Sequence, residues 1–213
     1  MTTHTAGPAP ARTPQGERSR AMRRRLLEAT VECLVELGWA GTTTTVVSER
    51  AGVSRGAQLH HFPSKQDLVV AAVDHLSQRR RDEMTAAAAD LPEKDRTRAV
   101  LEALAHQFVS PVFFAALELW VAARTDAELR SAVVPLERRI GRETHAYALD
   151  LLGVDESRGD NRALVQATLD LLRGLGLAAS LSDDSRRRGA VLDAWAPLLD
   201  DRLVLDPPPE TSS

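Results

Sequence analysis

Within residues 42–68, TTTTVVSERAGVSRGAQLHHFPSKQDL, the chain gathers side chains suited to gripping something anionic and edged with planar hydrogen-bonding groups. Arg55 can hold a guanine edge or a phosphate through its forked guanidinium, and Gln58 can pair bidentately with adenine. His60 and His61 can donate to phosphate oxygens. Thr44 and Thr45 put hydroxyls at the positive end of a short helix, which suits a phosphate. This is recognition chemistry, in which no covalent bond changes. The bond-making templates find no footing in the sequence: there is no H-E-x-x-H and no P-loop, and the one G-x-S-x-G spacing, Gly52-Val53-Ser54-Arg55-Gly56, lies between two helical patterns without the preceding strand that a nucleophile elbow needs. The one Gly-x-Gly, Gly174-Leu175-Gly176, lies in a helical pattern with no strand before it. No enzyme is therefore expected. Adjacent histidines on a helix point about 100° apart and no carboxylate or Cys stands at ligand spacing, so neither a metal nor a cofactor is expected.

Caps and breakers define the elements that must hold these groups. Thr43 is an N-cap for a helix over about residues 44–51, and Gly52 suits the left-handed position that ends it. Ser54 caps a helix over about residues 55–62 that stops at Pro63, and Ser64 caps a long helix from about residue 65. Two short helices joined by a turn containing Gly form a helix-turn-helix, whose second helix fits the major groove of DNA. Phe62 must be buried, and either Gln58 at i−4 or Leu59 at i−3 shares its face. If Leu59 turns inward, Gln58 faces the groove.

The run AGVSRG…HHFPSKQDLVVAAV resembles the DNA-binding region of the TetR/AcrR family of bacterial transcriptional regulators. Thr42, Ala51, Gly52, Val53, Ser54, Arg55, Gly56, His60, Phe62, Pro63, Ser64, Lys65 and Leu68 fit the family pattern. Ala57, Leu59 and His61 depart from it, standing where Thr, Tyr and a second aromatic are usual, and the family pattern puts an apolar residue at the Gln58 position. The resemblance implies a ligand-responsive repressor that binds a palindromic double-stranded DNA operator as a homodimer. It adds Gly56 to the DNA-facing positions, marks Lys65 as a phosphate anchor, and favours phosphate contact for Thr44 and Thr45. The alternative is a helical sensor or adaptor that has kept the scaffold without binding DNA specifically.

Charge is distributed to match. Residues 1–81 hold 12 Arg/Lys against 7 Asp/Glu, whereas residues 82–213 hold 15 against 23. A basic front on a chain of net charge −3 marks where phosphate would bind. A single cysteine, Cys33, excludes a disulfide framework, and its place on an apolar stripe makes it a core residue. No long uncharged apolar run or signal peptide is read, so the expectation is a cytoplasmic protein without a membrane span.

In chain order, the sequence reads as a disordered tail over residues 1–17, a helix-turn-helix DNA-binding domain over 18–81, a helical ligand-binding and dimerisation domain over 82–205, and a second tail over 206–213. Helix-period apolar residues place the first helix over about 19–37, with Met22, Leu26, Ala29, Cys33 and Leu37 on one face. The long helix runs to about 88, and five more cover about 95–109, 111–124, 126–152, 161–181 and 183–203. The expected fold is all-α with about nine helices: an N-terminal three-helix head and a C-terminal helical body.

In the resembled family the body holds an inducer pocket, and the aromatic cluster Phe108, Phe113, Phe114 and Trp120, with Tyr147, is its expected lining for a small, largely apolar molecule. The last two long helices carry apolar residues over more than half their circumference. The family pairs these helices across a two-fold axis, which makes Leu164, Leu171, Leu175, Leu192, Trp195 and Leu199 the expected dimer contacts.

Overall fold

The computed structural model describes residues 15–88 and 91–205. The expected tails at residues 1–14 and 206–213 lie outside the described residues. Among the described residues the chain is nine α-helices with no strand beyond one antiparallel bridge, Val154 with Leu205.

Helix α1 (Gln15–Gly41) starts earlier than its apolar stripe suggests, and Glu17 in its first turn faces the positive end of the helix dipole. It bends at Gly38, whose φ of 65° is open to glycine at little steric cost. Leu26, Ala29 and Cys33 are buried as expected, with Met22 packed at the edge, whereas Leu37 is exposed. α2 (Thr44–Ala51) begins on the Thr43 side chain, which accepts from Val46 N at 3.2 Å, and ends on left-handed Gly52. α3 (Arg55–His61) begins on Ser54, which accepts from Ala57 N at 3.2 Å. α4 (Lys65–Ala88) follows Pro63, with Ser64 Oγ accepting from Asp67 N at 3.0 Å.

The body comprises α5 (Arg96–Ala105), a 3₁₀ turn (His106–Val109), α6 (Pro111–Ala123), α7 (Ala127–Leu152), α8 (Asn161–Ala179) and α9 (Ser185–Arg202). Pro111 occupies the first turn of α6, where its missing N–H costs nothing. Gly153 closes α7 in the left-handed conformation. Asn161, fully buried, donates through Nδ2 to the carbonyls of Asp155 and Val204 and accepts from Val204 N, all at 2.9 Å. The stretch at Val204 and Leu205 is thereby tied to the loop before α8.

Two apolar cores form. One joins α1–α4 to α6 and α7 through residues such as Leu27, Leu34, Val47, Leu68, Leu119 and Leu129. The other joins α5, the 3₁₀ turn, α7, α8 and α9 through Leu101, Leu104, Phe108, Leu172 and Leu192. Trp120 on α6 packs against both. Among the described residues no single helix is long and apolar enough to cross a membrane.

Candidate functional site

The recognition helix α3 resolves the ambiguity at Gln58 and Leu59. Gln58 is fully buried and its Nε2 donates to the Phe62 carbonyl at 2.8 Å, while Leu59 is 42% exposed. The expected role of Gln58 against adenine is thus corrected. Its amide satisfies the backbone at the C-terminal end of α3, where helix carbonyls lack partners, and cannot also face the groove. Arg55, Gly56 and His60 are exposed on α3, and Thr45 is exposed at the start of α2. Thr44 and His61 are half-buried. Among the described residues Arg55 forms no ion pair.

Lys65 is also corrected. Its Nζ donates to the Trp39 carbonyl at 2.5 Å and lies 3.8 Å from the centroid of the Trp39 ring. A cation gains from both the carbonyl end of α1 and an aromatic face, and here it meets both. Burial lowers the Lys65 pKa. Its ammonium fastens the start of α4 to the end of α1 instead of pointing outward to phosphate. Trp39 N in turn donates to Glu118 Oε2 on α6 at 2.9 Å. The head is therefore hydrogen-bonded to α6 through the same residue that seats Lys65.

Replacing Gln58 by Leu exchanges one buried hydrogen bond for the removal of an unpartnered buried oxygen, Oε1. The expected result is a stability change within roughly 1.5 kcal/mol and an unaltered order of preference among DNA sequences. Thermal melts and competition binding on single-base-pair variants would check this. A selective loss at one base pair would return Gln58 to the groove.

In the body, α4, α6, α7, α8 and the 3₁₀ turn line a partly open cavity of about 100 Å³. Phe108, Phe113 and Trp120 line it, with Phe113 edge-on to both other rings at centroid distances of 5.3 and 6.0 Å. Phe114 and Tyr147 are not on its wall; they are half-buried against the second core, so their expected place in the lining is corrected. Sequence reasoning missed Arg80, Arg81 and Arg173, which line the cavity. Arginines on a helix ordinarily face solvent, and only the fold brings these three to one space.

The last two helices also divide differently from expectation. Leu175, Leu192 and Leu199 are buried in the second core of the same chain, so they are not free for a partner. Leu164, Leu171 and Trp195 are half-buried. Leu177 on α8, Leu181 just after it and Leu198 on α9 are the exposed large apolar residues here, at 55%, 91% and 57%. Leu171, Val191, Trp195 and Leu198 line a shallow apolar groove between α8 and α9.

Residues 26–72, which include α2 and α3, match the family model of bacterial regulatory proteins, tetR family. Over 184 residues the chain is 34% identical to the HTH-type transcriptional regulator CymR of Pseudomonas putida, covering 84% of this chain and 89% of that one. The chain belongs to the TetR family. As a TetR-family member it is a DNA-binding transcriptional regulator. Solved structures share the fold. A TetR transcription regulator from Haloarcula marismortui superposes with a TM-score of 0.68 at 19% identity, over 87% of this chain and all of that one (100%). The multidrug binding protein EbrR, solved with malachite green, superposes with a TM-score of 0.55 at 24% identity, over 81% of this chain and 96% of that one. The relative CymR spans both head and body, so the family likeness extends well past residues 26–72.

Proposed function

We propose that this TetR-family regulator is a repressor that holds a palindromic operator as a homodimer and releases it when a small molecule occupies the body cavity. The observation that carries the reading is shared structure. α4 and α6 line the cavity through Val73, Ser77, Phe113 and Trp120, and the same two helices grip Trp39 at the end of α1 through Lys65 and Glu118. A ligand that prefers one arrangement of α4 and α6 therefore biases the head, which is the requirement for coupling two sites. The division at about residue 81 into a DNA-binding head and a ligand-binding, dimerising body is kept with α4 serving both parts. EbrR with malachite green supports the entry of organic molecules into bodies of this fold. The protein acts in the cytoplasm, where its operator is accessible.

On the DNA side, Arg55 reads a base edge, Leu59 meets a thymine methyl, and Thr45 and His60 reach phosphate. The half-buried Thr44 and His61 and the glycine Gly56 border that surface. The exposed apolar residues of α8 and α9 form the two-fold interface that spaces the heads on half-sites.

Fluorescence anisotropy with the regulator's own upstream DNA tests the reading. Wild-type protein is expected to prefer a palindromic segment over random duplex, with affinity falling steeply as salt rises. Arg55→Ala should lose roughly 1–3 kcal/mol at particular base pairs and flatten the preference. Equal losses on operator and random DNA would make Arg55 a phosphate contact. Equal wild-type affinity for both DNAs would defeat the operator reading.

A further inference from the structure

We propose that the body cavity takes a single-ring carboxylate, its ring against the aromatic and aliphatic walls and its carboxylate held by Arg80, Gln107 and Arg173. This rests on reading the cavity as the effector site. Apolar walls alone would suit any small hydrocarbon. The polar groups among them narrow the class.

Three guanidinium groups line the cavity, from Arg80, Arg81 and Arg173, against one carboxylate, that of Glu137. Arg81 is matched by Glu143 at 2.7 Å, and Arg173 Nη1 donates to Asp170 at 2.7 Å. Arg80 has no carboxylate within ion-pair distance among the described residues; its Nη2 donates to the His106 carbonyl at 3.0 Å. The Nε atoms of Arg80 and Arg173 and the Nε2 of Gln107 are buried and donate to no acceptor. Gln107 follows the residue whose carbonyl Arg80 grips, and Arg173 lies over Phe108 and Trp120 at 5.9 and 5.7 Å. Unpartnered donors from α4, α8 and the 3₁₀ turn thus border one apolar space.

A buried donor without an acceptor is destabilising, and a carboxylate is the small group that offers two oxygens and about four acceptor directions. Its charge also suits an unmatched guanidinium. A neutral hydrocarbon would leave the donors unanswered, and an organic cation would face three guanidinium groups. Size sets the other limit. A cavity of about 150 Å³ accommodates benzene, so one of about 100 Å³ must widen, by movement of its side chains or toward its open side, even to take one ring, and a fused polycycle would demand far more.

The test is calorimetric titration of the full chain, with and without operator, using 4-methylbenzoate, 4-methylbenzamide and 4-methylbenzylammonium. The three probes share a ring and differ in charge. The carboxylate is expected to bind, the amide at least about tenfold more weakly, and the ammonium undetectably. Arg80→Gln and Arg173→Gln should each weaken the carboxylate about 10- to 100-fold and leave the amide nearly unchanged. Ala116→Trp, which fills the cavity, should abolish carboxylate binding. If the Arg variants melt well below wild type, the probe comparison on wild-type protein decides alone. Tighter or equal binding of amide or ammonium overturns the carboxylate and leaves the cavity as the effector site. Failure of all three probes also overturns it. Carboxylate binding with one affinity in the presence and absence of operator upholds the ligand class and defeats the effector reading.

Discussion

Leu192→Glu is expected to leave a chain that does not fold, whereas Leu198→Glu is expected to fold and sediment as a monomer. The two residues are less than two turns apart on α9, yet Leu192 is fully buried and Leu198 is 57% exposed. An unpaired carboxylate at Leu192 would sit among Leu101, Leu172 and their neighbours in the second core. Such burial exceeds the roughly 4–5 kcal/mol that marks exceptional single substitutions, a large share of the about 5–15 kcal/mol by which domains are stable. At Leu198 a carboxylate meets water in the free subunit and is desolvated only in a dimer. Circular dichroism and sedimentation velocity read the two outcomes. A folded monomer from Leu192→Glu would move the dimer contacts back to the inner face of α9.

The second large effect is expected at Gly176. A Cβ built there would lie 2.2 Å from the Phe108 carbonyl oxygen and 2.7 Å from the Phe108 Cβ. The obstacle is backbone, so it cannot swing aside as a side-chain tip would. Gly176→Ala must push α8 from the 3₁₀ turn that carries Gln107 and Phe108, both on the cavity wall. The expected loss is about 3 kcal/mol, at the upper end of ordinary overpacking, together with weakened ligand binding. Gly174→Ala is the control: nothing lies within 4 Å of its Cβ. It should gain about 0.5–1 kcal/mol as a glycine replaced inside a helix. For a chain of this size each kcal/mol moves Tm by roughly 2–4 °C, so the pair should diverge visibly in a thermal melt. Equal melting temperatures would mean that α8 stands further from the turn.

The helices were legible where the signals are local. Thr43, Gly52, Ser54, Pro63, Ser64 and Pro111 place ends within a residue or two because caps and breakers act on their own turn. What required the fold was the direction of a side chain. α3 has seven residues, under two full turns, too few for periodicity to choose between Gln58 and Leu59. A backbone acceptor at Phe62 made the choice. α8 and α9 are apolar over so much of their surface that pattern cannot separate the half facing their own subunit from the half left outside. That is why Leu175, Leu192 and Leu199 read as interface. Lys65 read as a phosphate anchor on the family resemblance alone, and no local signal opposed it because its partner, the Trp39 carbonyl, is 26 residues distant in sequence. The cavity arginines were hidden for the opposite reason: charge on a helix ordinarily means solvent, and only tertiary packing reverses it.

Cys33 is the sole thiol of the chain and is fully buried, and burial raises its pKa. A thiol held protonated and out of contact with water reacts slowly with maleimides and methanethiosulfonates. A cysteine introduced at an exposed position of α2, such as Glu49, would then be the only site labelled, with no need to strip a native thiol first. In a dimer one such label per subunit becomes a spectroscopic ruler between the two heads, read in otherwise unaltered protein as ligand or DNA is added.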